Sequence, residues 1–185
     1  MSGVCKNEQM TDVRSVVACT QCQVHWYLNG EAAKCSDPDH DHQQFVLHQH
    51  RSVVVLPDAT EVTAVSFDAI HPYARDEPPD YGLYLDPRWK PPWSHGHLDW
   101  PDFGVPEDPL PLAAALRRLL QRAHGGDRVE MGCIGGHGRT GTALACLAIM
   151  TGLPSRDAVA WVRANYCADA VETAQQEAFV AEFVH

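Results

Sequence analysis

Cys133-Ile134-Gly135-Gly136-His137-Gly138-Arg139-Thr140-Gly141 is the stretch on which the fold turns. Arg128-Val-Glu-Met-Gly-Cys133 before it reads as a short buried strand, and from Arg139 a small-residue, apolar helix runs to about Met150. Glycines at 135, 136 and 138 permit positive φ, so successive backbone N–H groups can converge on one point. The helix that follows adds its N-terminal partial charge at the same point. The product is an oxyanion cradle of phosphate size. A cysteine at its mouth is stabilised as thiolate and becomes a nucleophile. Arg139 can hold two equatorial phosphate oxygens, and Thr140 can hydrogen-bond the sulfur and help it leave.

Working outward, residues 52–56 and 61–67 alternate like a strand pair around a Pro57-Asp58 turn, and residues 81–85 read as another short strand. Residues 71–80 read as a loop. Residues 86–111 hold seven prolines with Trp89, Trp93, Trp100 and Phe103, a composition that suits a structured loop rather than a linker. Asp108 caps a helix with Pro109 at its first position. Its face is Leu112, Leu116, Leu119, Leu120 and Ala123, and Gly125-Gly126 ends it. Ser155 is expected to cap the next helix, with Ala158, Val159, Trp161, Val162 and Tyr166 as its apolar face. Thr173 and Gln176 form a capping box that opens a last helix burying Phe179 and Phe183. Cys146 and Cys167 read as ordinary helix residues. Early strands and late helices predict an α/β or α+β domain over residues 51–185.

The Cys-x5-Arg-Thr segment with interleaved glycines resembles the signature of the cysteine-dependent protein tyrosine phosphatase superfamily, dual-specificity enzymes included. Trp100-Pro101-Asp102-Phe103-Gly104-Val105-Pro106 resembles that family's mobile acid loop. The resemblance implies a central sheet flanked by helices. It implies Cys133 as nucleophile, Asp102 as general acid and then base, and Arg139 with residues 134–138 (Ile134, Gly135, Gly136, His137, Gly138) as the phosphate site. Thr140 assists thiolate departure, and Gln175 or Gln176 stands where the family often carries a water-positioning glutamine. No cofactor is implied for catalysis. One departure is visible: Gly132 occupies the position where the family commonly has histidine.

Other readings of the turn fare less well. Residues 136–141 match G-x-G-x-x-G, but no second strand with an acidic residue follows. A nucleotide P-loop lacks its Gly-Lys-Ser/Thr. A phosphate-recognition or zinc-dependent module that binds without turnover stays open beside the phosphatase, and a sulfurtransferase or arsenate reductase leaves residues 100–106 without a task. The turn lacks the lysines of phosphoinositide-directed relatives. Phosphotyrosine, phosphoserine or threonine, and small phosphate esters are not separated by the sequence.

The chain has 185 residues, of which 45 % are apolar and 21 % charged, which is ordinary globular chemistry. A formal charge of −10 disfavours nucleic acid and anionic membrane as partners, leaving phosphorylated proteins or small phosphate esters. No apolar run nears the ~20 residues of a membrane span, and residues 1–14 lack the apolar core of a signal peptide. A cytoplasmic protein is the expectation. Seven cysteines, an odd number, disfavour a disulfide framework. Within a polar segment, residues 1–50, Cys19-x2-Cys22-x12-Cys35-x4-His40 has the spacing of a small zinc knuckle. His42 can replace His40, and Cys5, His25, His48 and His50 are further alternates. A redox pair at Cys19 and Cys22 is the competing reading. The segment is expected to be a small zinc-stabilised extension.

Overall fold

The computed structural model describes residues 13–19, 21, 25–27, 36–40, 42–48, 50–67, 73 and 75–184. They fall into two compact units, one within residues 9–49 and the other from residue 50 onward. In the first, β1 (Val13–Cys19) lies between β2 (His25–Tyr27) and β3 (His42–His48), antiparallel to both. These strands were not legible as elements, because no long hydrophobic period marks them. Cys22 and Cys35 of the expected zinc set, and the alternate Cys5, lie outside the described residues.

The second unit is a mixed five-stranded sheet flanked by four helices, the α/β architecture the sequence predicts. Its strands are β4 (Arg51–Val55), β5 (Glu61–Ser66), β6 (Tyr81–Tyr84), β7 (His95–His97) and β8 (Val129–Cys133), in the order β4-β5-β8-β6-β7. Only β4 runs antiparallel to its neighbour, as the 57–60 turn dictates. β5, β8, β6 and β7 pair in parallel, so their carboxyl ends share one edge. β7 is a strand inside the proline-rich stretch read as loop.

The helices are α1 (Pro109–His124), α2 (Gly138–Met150), α3 (Ser155–Asn165) and α4 (Ala174–Ala181). Asp108 caps α1 by accepting from the Leu110 N–H, and Thr173 with Gln176 closes the capping box of α4. Ser155 does not cap α3. Pro154 holds that position in extended backbone, and Ser155 is the first helical residue. Cys167 lies beyond the end of α3, and Phe183 beyond that of α4.

Period two divides the sheet. Val62, Ala64, Leu83, Val129 and Met131 join one core with Leu116 and Leu119 of α1 and Leu144 and Leu147 of α2. The opposite face carries Val65 and Tyr84, covered by Trp89 with Phe67 and Trp93 packed alongside. The aromatic stretch that looked too rich for a linker is therefore a lid on the second face. Glu130 is buried on this face between Arg75 and Tyr84. Arg75 binds it in a two-point pair, Nε to Oε2 at 3.0 Å and Nη2 to Oε1 at 3.1 Å. The Tyr84 hydroxyl donates to Oε1 at 2.9 Å and accepts from Trp93 Nε1 at 2.7 Å. Burial and the Glu130 charge push the Tyr84 phenol up, so it remains a donor. Removing one partner of such a pair strands a charge in the interior. Arg75→Ala is expected to cost about 3 kcal/mol, read as a lower urea midpoint; an unchanged midpoint contradicts the assignment.

Candidate active site

The carboxyl edge of the parallel strands delivers three segments to one place. β5 ends at Ser66, β6 runs on into Leu85 and Asp86, and β8 ends at Cys133. The Phe67 N–H donates to the Cys133 and Ile134 carbonyls at 3.2 and 3.1 Å, and the Leu85 N–H donates to the Gly132 carbonyl at 2.8 Å. These bonds fix where the strand stops and the turn begins.

Of the three turn glycines expected to use positive φ, only Gly136 does. Gly136 has φ of +76°, and its N–H donates to Cys133 Sγ at 3.3 Å. The Thr140 hydroxyl, one turn into α2, donates to the same sulfur at 3.1 Å. Cys133 is buried, whereas Ile134 and Gly135 keep partial exposure at the mouth. Gly132 is explained by packing: a Cβ there would collide with the Val65 carbonyl oxygen and stand 2.8 Å from the Trp89 ring. A histidine before the cysteine has no room in this sheet.

Arg139 is 3 % exposed. Its Nη1 donates to the Leu85 carbonyl at 3.0 Å, the Trp100 carbonyl at 3.0 Å and Asp86 Oδ2 at 3.3 Å. Burial opposes its charge, but the Cys133, Asp102 and Asp86 charges outweigh burial and hold the guanidinium protonated. Nε and Nη2 have no hydrogen-bond acceptor among the described residues. Those two atoms form the edge with which arginine grips an oxyanion at two points. Asp86 itself is kept low despite its burial by hydrogen bonds from Arg88 and by the Arg139 charge.

Asp102 reaches this guanidinium, with Oδ1 3.3 Å from Nη2. Residues 100–106 are held from both ends. Trp100 is buried and its Nε1 donates to the Gly104 carbonyl at 2.9 Å, while Phe103 takes φ of +57°. The Thr173 hydroxyl donates to the Phe103 carbonyl at 3.2 Å, and Gln176 Nε2 donates to the Gly104 carbonyl at 3.3 Å. Gln176 is fully buried, and its Oε1 accepts from the N–H groups of Glu172 and Thr173. Its amide is engaged at both ends, in the capping box and on the 100–106 loop. Gln175 is exposed.

Glu172 was not legible. It follows Val171, a β-branched residue in the left-handed region at φ +61°, which signals a backbone forced into place. Arg163 holds that bend by donating to the carbonyls of Ala170 at 3.0 Å and Val171 at 2.8 Å. Although the residue is exposed overall, Glu172 Oε2 lies where a Cβ on Gly138 would stand, and the Gly138 N–H donates to the carboxylate. Desolvation of the carboxyl, then the Asp102 charge, pushes it up to about 7. The sequence signal that points to it is an acidic residue just before the helix-capping Thr173.

A carboxyl raised from 4.5 to about 7 on folding contributes stability below its unfolded value. That contribution is lost as pH rises through 7. Glu172→Gln is therefore expected to raise Tm by a few degrees at pH 8 and to leave it nearly unchanged near pH 4.5. A Tm difference independent of pH contradicts this. In the other unit, Cys19 Sγ lies 3.5 Å from His40 Nδ1, and His40 Nε2 lies 3.4 Å from Asp37.

Comparison with known proteins agrees with this geometry. Over 85 residues, 45 % of the chain, it is 40 % identical to the uncharacterized protein MJECL20 and 50 % identical to the uncharacterized protein MJ0215, both of Methanocaldococcus jannaschii. The matched stretches are 54 % and 50 % of those proteins, so the chain spans about half the length of the curated relatives it matches. Among solved structures it resembles Tk-PTP in its active form, at 28 % identity and a TM-score of 0.53 over 66 % of this chain and 92 % of that one. It also shares the fold of kinase associated phosphatase carrying serine for its catalytic-site cysteine, at 12 % identity and a TM-score of 0.57 over 72 % and 93 % of the two chains. Residues 90–180 match the protein-tyrosine phosphatase family model, and the turn, the sheet edge and the fold of these neighbours agree with that match.

Proposed function

We propose that the chain hydrolyses phosphate monoesters, with phosphotyrosine or other phosphoprotein side chains as substrates, through a phosphocysteine intermediate. The observation that carries this reading is the buried Arg139 edge, Nε and Nη2, beside a cysteine that receives two hydrogen bonds. In this mechanism the phosphate dianion sits on the N–H groups of residues 134–138 and on that edge. Cys133 Sγ attacks phosphorus as the bond to the leaving oxygen breaks, and Asp102 gives that oxygen its proton. Water then attacks the phosphocysteine while Asp102, now ionised, takes its proton. The Thr140 hydroxyl donates to the departing sulfur, and inorganic phosphate leaves. Glu172 competes with phosphate for the Gly138 N–H when ionised, so its neutral form is the one compatible with a bound dianion.

A small aryl phosphate tests the mechanism. Cys133→Ser is expected to abolish turnover, and Asp102→Ala to lower kcat on the order of a hundredfold or more while binding persists. Full activity in the serine variant overturns the proposal. A serine variant that binds phosphopeptide, beside a wild type that binds without hydrolysing, selects the recognition module instead.

For the N-terminal segment we infer structural zinc on Cys19, Cys22, Cys35 and His40, within a unit of residues 1–50 attached to a phosphatase unit of residues 51–185. The support is the approach of Cys19 to His40, with the far ring nitrogen of His40 turned to a carboxylate as metal-binding histidines commonly are.

A further inference from the structure

Behind the turn lies a second constellation that the reaction does not use. His50, which precedes β4, His137 in the turn, and Cys167, past the end of α3, bring ligand atoms to within 4.8 Å of one another. All three are buried, at 2 %, 4 % and 1 % exposure. The two rings meet through their Nε2 atoms at 3.0 Å and stand nearly perpendicular, at 82°. His50 is fixed from several sides. Its N–H donates to the Ser66 hydroxyl at 2.8 Å, its carbonyl accepts from the Ser66 N–H at 3.0 Å, and its ring lies 4.8 Å from that of Tyr166. Tyr166 in turn donates its hydroxyl to the Gly136 carbonyl at 2.6 Å. A Cβ on Gly136 would stand 2.7 Å from the His50 ring, so ring and turn are fitted to each other.

We propose that His50, His137 and Cys167 form a buried site for a borderline-soft divalent cation, zinc in the first instance, separate from the N-terminal cysteines. The donor types are those zinc selects, imidazole nitrogen and thiolate sulfur. Tetrahedral zinc, with bonds of about 2.0–2.3 Å, needs its donors roughly 3.3–3.7 Å apart. Shifts of about an ångström bring the present set to that spacing. Binding takes the proton from the Cys167 thiol and leaves both imidazoles neutral, each giving a lone pair. Zinc with one thiolate leaves a net positive charge next to Gly136 and His137. That charge pins a glycine-rich segment to β4 and α3, and it favours an anion on the N–H groups of the turn. A fourth position remains for water.

Zinc content of the full chain, stripped with chelator, dialysed against Zn²⁺ and desalted, tests the site. His50→Gln and Cys167→Ala, both close to the native side chains in size, are each expected to bind one zinc fewer per chain than wild type. Cys19→Ser is expected to leave this equivalent in place. Wild-type zinc content in both variants overturns the proposal and leaves an imidazole hydrogen bond in a polar core. Should either variant fail to fold, the cobalt-loaded Cys19→Ser/Cys22→Ser/Cys35→Ser chain gives a separate reading. Its sulfur-to-cobalt charge-transfer band is expected with the intensity of one thiolate and is expected to bleach as Zn²⁺ displaces the cobalt. No such band in that chain overturns the site.

Discussion

The centre of this molecule hangs on a guanidinium kept out of water. Burying Arg139 costs desolvation free energy that must be offset nearby, and the offset comes from two segments at once. Leu85 and Asp86 supply acceptors from the end of β6, Trp100 supplies a carbonyl from the 100–106 loop, and Asp102 adds a second carboxylate. The Nη1 contacts leave Nε and Nη2 without a hydrogen-bond acceptor among the described residues, with the Asp102 carboxylate at ion-pair distance from Nη2. The same arginine that anchors the site from behind therefore faces it with a preorganised pair of donors.

Around that anchor the two faces of the sheet have different tasks. The helical face is ordinary core, where Leu, Val, Ala and Met remove apolar surface from water. The other face is polar at its middle, where Glu130, Arg75, Tyr84 and Trp93 satisfy one another beneath an aromatic cover. This face leaves β8 no side chain at Gly132. The absent histidine is thus a packing matter, since Trp89 and the β5 backbone occupy the volume it would need. Cys146, by contrast, sits in the interior of α2, where burial pushes its thiol up and keeps it inert. Two cysteines on neighbouring elements are set apart by the donors around their sulfurs.

Much of this was legible in the chain because its determinants are local. The glycines and Arg139 of the turn, Trp100 and Asp102 on their proline-stiffened loop, and the Thr173–Gln176 box each announce themselves within a few residues. The misses are long-range. Asp86 matters because a parallel strand ends beside α2, and Glu172 because a strained Val171 turns it toward Gly138. His50 looked like one of many N-terminal histidines, yet it stands against a turn 87 positions later. β7 is three residues long, too short for alternation to show, and the strands of the first unit carry no strong apolar period. Ser155 misled because Pro154 already supplies the extended residue before α3.

Thr173 and Gln176 carry a further implication. Their inner hydrogen bonds start α4, and their outer ones hold the carbonyls of Phe103 and Gly104. Movement of the 100–106 loop gives up the outer bonds and leaves the inner ones intact. In the proposed mechanism the helix start acts as a latch post, keeping its own bonds when the loop opens and offering the same two donors when it closes. Placement of the 100–106 loop thus rests on a helix terminus some seventy residues further along the chain.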